Sequence, residues 1–157
     1  MAIVKAVFLS MLLAHPAHAA TRADLERVAV ETAARHGIPP ALLLGVCQTE
    51  SNWEPHALGD GGASFGVCQI QIGTGLPILY TVAMCFNPRR GRRETMRRVL
   101  MTPAANIHLA AVLLRTYIDR FGDETLAVMA YNGGPDHPLL KHWLKVREAK
   151  RRYEEKR

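Results

Sequence analysis

The sequence predicts a mainly α, single compact domain, and three observations carry that prediction. Apolar residues recur at helical spacing through most of the chain, as in Leu25, Val28, Ala29, Thr32 and Ala33 and again in Ile107, Ala110, Ala111, Leu114 and Ile118. Helix punctuation recurs between these stripes: Thr21, Gly37, Pro39-Pro40, Thr102-Pro103, Gly122 and Asp123. The length of 157 residues suits one domain with one core, and an apolar fraction of 48% excludes a disordered chain.

Taken in order, residues 1–19 stand apart. Met1–Lys5 carries one positive charge, Ala6–Ala14 is an apolar run, and Ala17-His18-Ala19 has the small-x-small pattern of a processing site. This is the layout of a secretory signal peptide cleaved after Ala19, and the run falls short of the roughly 20 residues that span a bilayer. The expected mature domain is residues 20–157, with no transmembrane segment in it. Export makes disulfide formation possible. With Cys47, Cys68 and Cys85 present, two cysteines pair and one is left over, and spacing does not identify the pair. No metal-ligand spacing is present, so no metal and no cofactor are expected.

In the mature chain, Thr21 and Asp24 form a capping box that starts a first helix ending at Gly37. Pro39-Pro40 opens a second helix through Glu50. Residues 52–63 are rich in Gly, Asp, Asn and Pro and read as a long irregular loop. Ser64–Ile72 suits either a short helix or a strand, and Leu76–Cys85 reads as a helix followed by an Arg-rich loop entering another. Thr102 as N-cap with Pro103 at the first position starts a long helix that ends at Gly122. Asp123 caps a further helix over Glu124–Tyr131, broken by Asn132-Gly133-Gly134-Pro135, and a last, basic helix runs from about Leu139 to the end.

The net charge is +6, or +5 once Lys5 leaves with the signal (6 − 1), which favours an anionic partner. For an exported chain, cell-wall polymer and anionic lipid come before nucleic acid. The positive charge gathers at Arg89–Arg98 and in the tail from Lys141 to Arg157; for the tail, a solvated charged face is the favoured reading.

Glu50 is the candidate acid/base. Leu43, Val46 and Cys47 lie seven, four and three residues before it and share its helical face, so its carboxyl closes an apolar stripe. Partial desolvation raises a carboxyl pKa, and an acid still protonated near neutrality can protonate a leaving oxygen. Ser51 follows it with a hydroxyl. The loop returns through Gly61-Gly62-Ala63-Ser64-Phe65-Gly66, where glycine permits close backbone approach. Gln69 offers a donor and an acceptor suited to an amino sugar, and Tyr131 sits before a glycine turn within possible reach of Glu50. Taken singly, each of these is an ordinary turn, surface or core residue.

Together they resemble the soluble, lysozyme-like lytic transglycosylases. Glu50-Ser51-Asn52-Trp53-Glu54-Pro55-His56-Ala57 follows that family's E-S-x-aromatic-x-P-x-A pattern. Gly66-Val67-Cys68-Gln69 is similar to its G-L-M-Q, Asn106-Ile107 to its N-I, and Ala130-Tyr131-Asn132-Gly133-Gly134 to its A-Y-N-x-G. Four blocks in order cover about residues 38–136. The resemblance implies a lysozyme-like (α+β superfamily) helical domain with a substrate groove. It implies Glu50 as the catalytic acid and then base, and Ser51 and Gln69 as residues that contact N-acetylmuramic acid or hold the site in shape. It implies Tyr131 as a residue that orients Glu50, with Gly66 and Asn132 on the substrate-binding surface.

The departures are specific. Gly62-Ala63-Ser64-Phe65-Gly66 is one residue longer than the usual G-A-x-G, which is nearer to phage and conjugation-associated members. Val67-Cys68 replaces Leu-Met, and Arg89–Arg98 belongs to no motif of the family. The implied reaction cleaves the β-1,4 bond between N-acetylmuramic acid and N-acetylglucosamine in peptidoglycan glycan strands with formation of a 1,6-anhydro ring. The implied setting is the periplasm or cell envelope, for local wall opening beside a secretion or conjugation apparatus. Two rivals are a hydrolytic muramidase using Asp60 or Glu54 as a second carboxylate and a non-catalytic wall-binding component of such an apparatus.

Overall fold

A computed structural model describes residues 20–73, 92–137 and 139–155. The expected signal segment, the helix expected over 76–85, Cys85 and Arg89–Gly91 lie outside the described residues.

The described residues are mainly helical: α1 (Arg22–Arg35), α2 (Pro40–Ser51), α3 (Arg92–Leu100), α4 (Pro103–Phe121), α5 (Glu124–Gly133) and α6 (Leu140–Glu154). Between α2 and α3 the chain forms a small antiparallel sheet of β1 (Leu58–Gly59), β2 (Ser64–Phe65) and β3 (Ile70–Gln71) in the order β1-β2-β3. Leu58 pairs with Phe65, and Phe65 with Ile70. The stretch 64–72, open between helix and strand from sequence, therefore contributes two short strands with a tight turn between them. None of the described helices is long and apolar enough to cross a membrane.

The helix boundaries follow local chemistry. Thr21 and Asp24 form the expected capping box, and Asp123 accepts from Leu126 N at 2.8 Å. Thr102 occupies the N-cap of α4 but makes no side-chain cap bond; its hydroxyl donates back to Arg98 O at 3.1 Å, binding the end of α3 to the start of α4. α5 continues two residues past Tyr131, because the Asn132 and Gly133 backbones still close helical bonds before Gly134 ends the helix.

α2 is the central element. Every residue from Ala41 to Cys47 is buried, as expected of a helix that is apolar all round. α1, α4 and α6 pack against it. Leu42, Leu43, Val46, Ile107, Leu109 and Leu114 are fully buried in the shared core, each worth about 1.5–3 kcal/mol of burial.

The basic tail is more than a solvated face. α6 buries His142, Val146 and Ala149, spaced four and three residues apart, against the body of the protein. The approach is close enough to require Gly45: a Cβ there would lie 3.0 Å from Lys150 N and Val146 O. At the far end of the contact, Trp53 Nε1 donates to Tyr153 Oη at 2.9 Å, and Tyr153 Oη donates to Glu26 Oε1 at 2.8 Å. That chain of bonds joins α1, the end of α2 and α6.

Candidate active site

Glu50 occupies the last turn of α2, where the helix meets the sheet-bearing loop. Asn52 and then Trp53 both take left-handed backbone (φ 54° and 69°) and turn the chain away sharply. A left-handed Trp is uncommon and costs energy; here the indole is anchored by burial and by its bond to Tyr153.

The residues singled out from sequence converge on one segment, Gly66–Gln69. Ser51 Oγ donates to Val67 O at 2.6 Å. Tyr131 Oη donates to Cys68 O at 2.7 Å. Gln69 Nε2 donates to Gly66 O at 2.9 Å and to Ala57 O at 3.2 Å. Gly66 N donates to Ala57 O at 2.9 Å. The donors of Ser51, Gln69 and Tyr131 are thus committed to loop carbonyls and hold the loop against the end of α2. The Tyr131 hydroxyl is spent on Cys68 O, and Tyr131 lies close enough to Glu50 to feel its charge. Asn132 lies on the last turn of α5 with its side chain exposed.

Two further residues fix the same segment. Asn106, fully buried in the first turn of α4, donates to Phe65 O at 2.8 Å and Leu100 O at 2.9 Å, and accepts from Cys68 N at 2.8 Å. Gly66 has φ 74°, and a Cβ there would lie 2.5 Å from Leu100 O and 2.7 Å from Asn106 Nδ2. Only glycine meets both demands. Cys68, which stands where the resembled pattern has Met, forms a disulfide with Cys47, one helical turn before Glu50.

The Glu50 side chain is 12% exposed. Its pKa is pushed up to about 8, first by burial and then by the negative charge of Asp60, with Lys145 opposing. Near neutrality the group is an undissociated acid able to donate a proton. Tyr131 is pushed well above its ordinary value by burial and by the proximity of Glu50, so it stays a neutral hydrogen-bond donor.

Asp60 sits at an exposed turn after β1 with φ 50° and accepts from Ser64 Oγ at 2.5 Å and Gln71 Nε2 at 3.3 Å. Its Oδ2 is occupied in bracing β2 and β3, and its charge acts on Glu50. Glu54 is exposed and accepts from His56 N at 3.2 Å, which closes the turn after Trp53. No group of three or more His, Cys, Asp or Glu able to hold a metal occurs among the described residues.

Sequence reasoning missed two residues here, both on α6. His142 Nε2 lies 3.3 Å from Glu50 Oε1, with the imidazole 8% exposed. Lys145, one turn on, bears on both groups through its charge. The available signal was the spacing His142, Val146, Ala149, which marks a buried stripe within an otherwise charged helix.

Residues 27–155 match the transglycosylase SLT domain family. A transglycosylase of Enterobacteria phage PRD1 is 33% identical over 101 residues, 64% of this chain and 31% of that protein. The chain therefore spans about a third of the length of that relative. The fold is similar to that of an inactive mutant of the lytic transglycosylase Slt from Pseudomonas aeruginosa, with TM-score 0.57 and 22% identity over 80% of this chain and 21% of that one. The match to the family covers most of the chain, including every element that frames Glu50, and the protein belongs to the transglycosylase SLT domain family.

Proposed function

We propose that this protein is a peptidoglycan lytic transglycosylase in which Glu50 is the one catalytic acid and base. The observation that carries the reading is the Glu50 carboxyl itself: nearly buried, its pKa pushed up to about 8, and set at the end of a helix beside a loop that six hydrogen bonds involving Ser51, Gln69, Tyr131 and Asn106 hold in place. The phage relative, named a transglycosylase, supports the same reaction class.

In the first step Glu50 gives its proton to the β-1,4 oxygen between N-acetylmuramic acid and N-acetylglucosamine. The C1–O bond breaks with its electron pair leaving on that oxygen, and the acetamido oxygen of the sugar stabilises the cation. In the second step the Glu50 carboxylate takes the proton of the C6 hydroxyl as O6 bonds to C1, closing the 1,6-anhydro ring. Glu50 ends as it began, protonated, and no water is consumed. Substrate assistance of this kind removes the need for a second carboxylate. Ser51, Gly66 and Gln69 hold the loop that faces the muramic acid in shape, and Asn132, exposed on the last turn of α5, lies on the substrate-binding surface.

The setting follows from the same reading. Residues 1–19 act as a signal peptide, residues 20–157 form the mature domain, and the domain works in the periplasm or cell envelope on glycan strands. The Cys47–Cys68 disulfide supports an oxidising compartment. Local wall opening beside a secretion or conjugation apparatus is the role we favour.

Digestion of purified peptidoglycan in ¹⁸O-labelled water tests the reaction. Unlabelled 1,6-anhydro ends are expected. Labelled reducing ends would mean hydrolysis and direct attention to Asp60, and intact strands with well-folded protein would mean a binding role.

A further inference from the structure

Among the described residues, His142 Nε2 is one of two side-chain polar atoms that are fully buried and lack a hydrogen-bond partner; the other is Arg115 Nε. Such an atom is costly and calls for a reason. Its nearest carboxylate oxygen is Glu50 Oε1 at 3.3 Å, close enough to touch but not aligned as a hydrogen bond. Contacts among catalytic groups are commonly long or misaligned without substrate and tighten when it binds.

We propose that His142 is a positioning residue for Glu50: its Nε2–H donates to Glu50 Oε1 and so reserves Oε2 for the proton that leaves and returns. The inference rests on the reading of Glu50 as the catalytic acid and base.

The geometry suits the task. His142 is fixed on α6 by the burial of Val146 and Ala149 on the same stripe, and by the close approach of α6 to Gly45. A neutral imidazole carries one N–H, and burial together with the charge of Lys145 pushes His142 down to about 4, so the ring is neutral where Glu50 works. A neutral N–H donates both to the carbonyl oxygen of an undissociated acid and, more strongly, to a carboxylate. One contact therefore serves both steps, and His142 neither gains nor loses a proton. Delivery to the glycosidic oxygen and recovery from the C6 hydroxyl both occur at Oε2. The titratable groups that face Glu50 come from three elements: His142 and Lys145 on α6, Asp60 in the turn after β1, and Tyr131 on α5.

The donor strengthens most against the carboxylate, so its loss raises the pH at which Glu50 ionises. The test is the pH profile of kcat/KM on soluble glycan strands for wild type, His142→Leu, His142→Gln and Glu50→Gln. His142→Leu is expected to lose about tenfold in kcat with KM little changed and to move the alkaline limb up by about one pH unit. His142→Gln, which keeps an N–H, is expected to bring the limb back toward wild type. A wild-type profile for folded His142→Leu, or a lower rate with the limb unmoved, overturns the proposal while an inactive Glu50→Gln leaves the reading of Glu50 intact. A fully active Glu50→Gln overturns both. Should His142→Leu not fold, ¹⁵N NMR of the wild-type imidazole decides: a proton on Nε2 is expected, and a proton on Nδ1 with bare Nε2 overturns the proposal.

Discussion

Cys47 and Cys68 are joined by a disulfide that ties the helix bearing Glu50 to the loop bearing Gln69. The sequence separation is 21 residues, and the closed segment contains Glu50, Ser51 and the whole of β1 and β2. Closing a loop of this size stabilises a fold by roughly 3 kcal/mol, chiefly by restricting the unfolded chain. Replacing both cysteines with alanine is expected to lower stability by about that amount in denaturant unfolding, and to reduce activity more than Tm alone explains, because the loop facing Glu50 loosens. An unchanged unfolding midpoint would contradict this.

Asn106 is expected to be among the least replaceable side chains outside the apolar core. Asn106→Leu keeps a branched side chain, at greater volume, but removes two donors and one acceptor at once, leaving Phe65 O, Leu100 O and Cys68 N buried without partners. The expected loss is about 3 kcal/mol or more. Chemical denaturation measures it, and a loss below about 1 kcal/mol would mean that the loop finds other partners.

Gly66→Ala is expected to destabilise by at least about 2 kcal/mol, since the residue must hold φ 74° while its Cβ meets Leu100 O at 2.5 Å. Gly61, also left-handed at φ 64°, has open space around its would-be Cβ. Gly61→Ala therefore carries only the backbone cost, roughly 1 kcal/mol. Thermal unfolding of the two variants side by side separates the steric from the conformational contribution.

How far the sequence carried depends on whether a feature is local. The capping box at Thr21, Asp123 as a cap, Pro40 at the start of α2 and the Gly122 stop are all written in neighbouring residues, and the structure has them. The placement of Glu50 at the end of an apolar stripe was equally legible, because helical spacing alone puts Leu43, Val46 and Cys47 beneath it. What was not legible is everything that depends on a partner far along the chain. The strands at 64–65 and 70–71 are two residues each, too short for any periodicity. The pairing of Cys47 with Cys68 needs the loop to fold back on α2. The tail reads as a charged surface because Lys and Arg dominate it, and only the docking of α6 on α2 turns His142 inward toward Glu50, nearly a hundred residues away.

The elevated ionisation of Glu50 has a consequence for stability. A group whose pKa is raised on folding contributes stability below its unfolded value of about 4.5 and loses it as pH rises through about 8. Glu50→Gln, which carries no such charge, is expected to match wild type near pH 4 and to exceed it by on the order of 3–5 kcal/mol at pH 9. Denaturant unfolding at the two pH values measures this. Equal stability at pH 9 would mean that the carboxyl is solvated after all.

Glu50 as the acid and base of a non-hydrolytic cleavage is the central claim, and mass spectrometry of the muropeptides released from purified peptidoglycan by wild type and by Glu50→Gln tests it most directly. Products with 1,6-anhydro ends are expected from wild type and none from the variant, with both proteins folded; release of the same products by Glu50→Gln would contradict the assignment of Glu50.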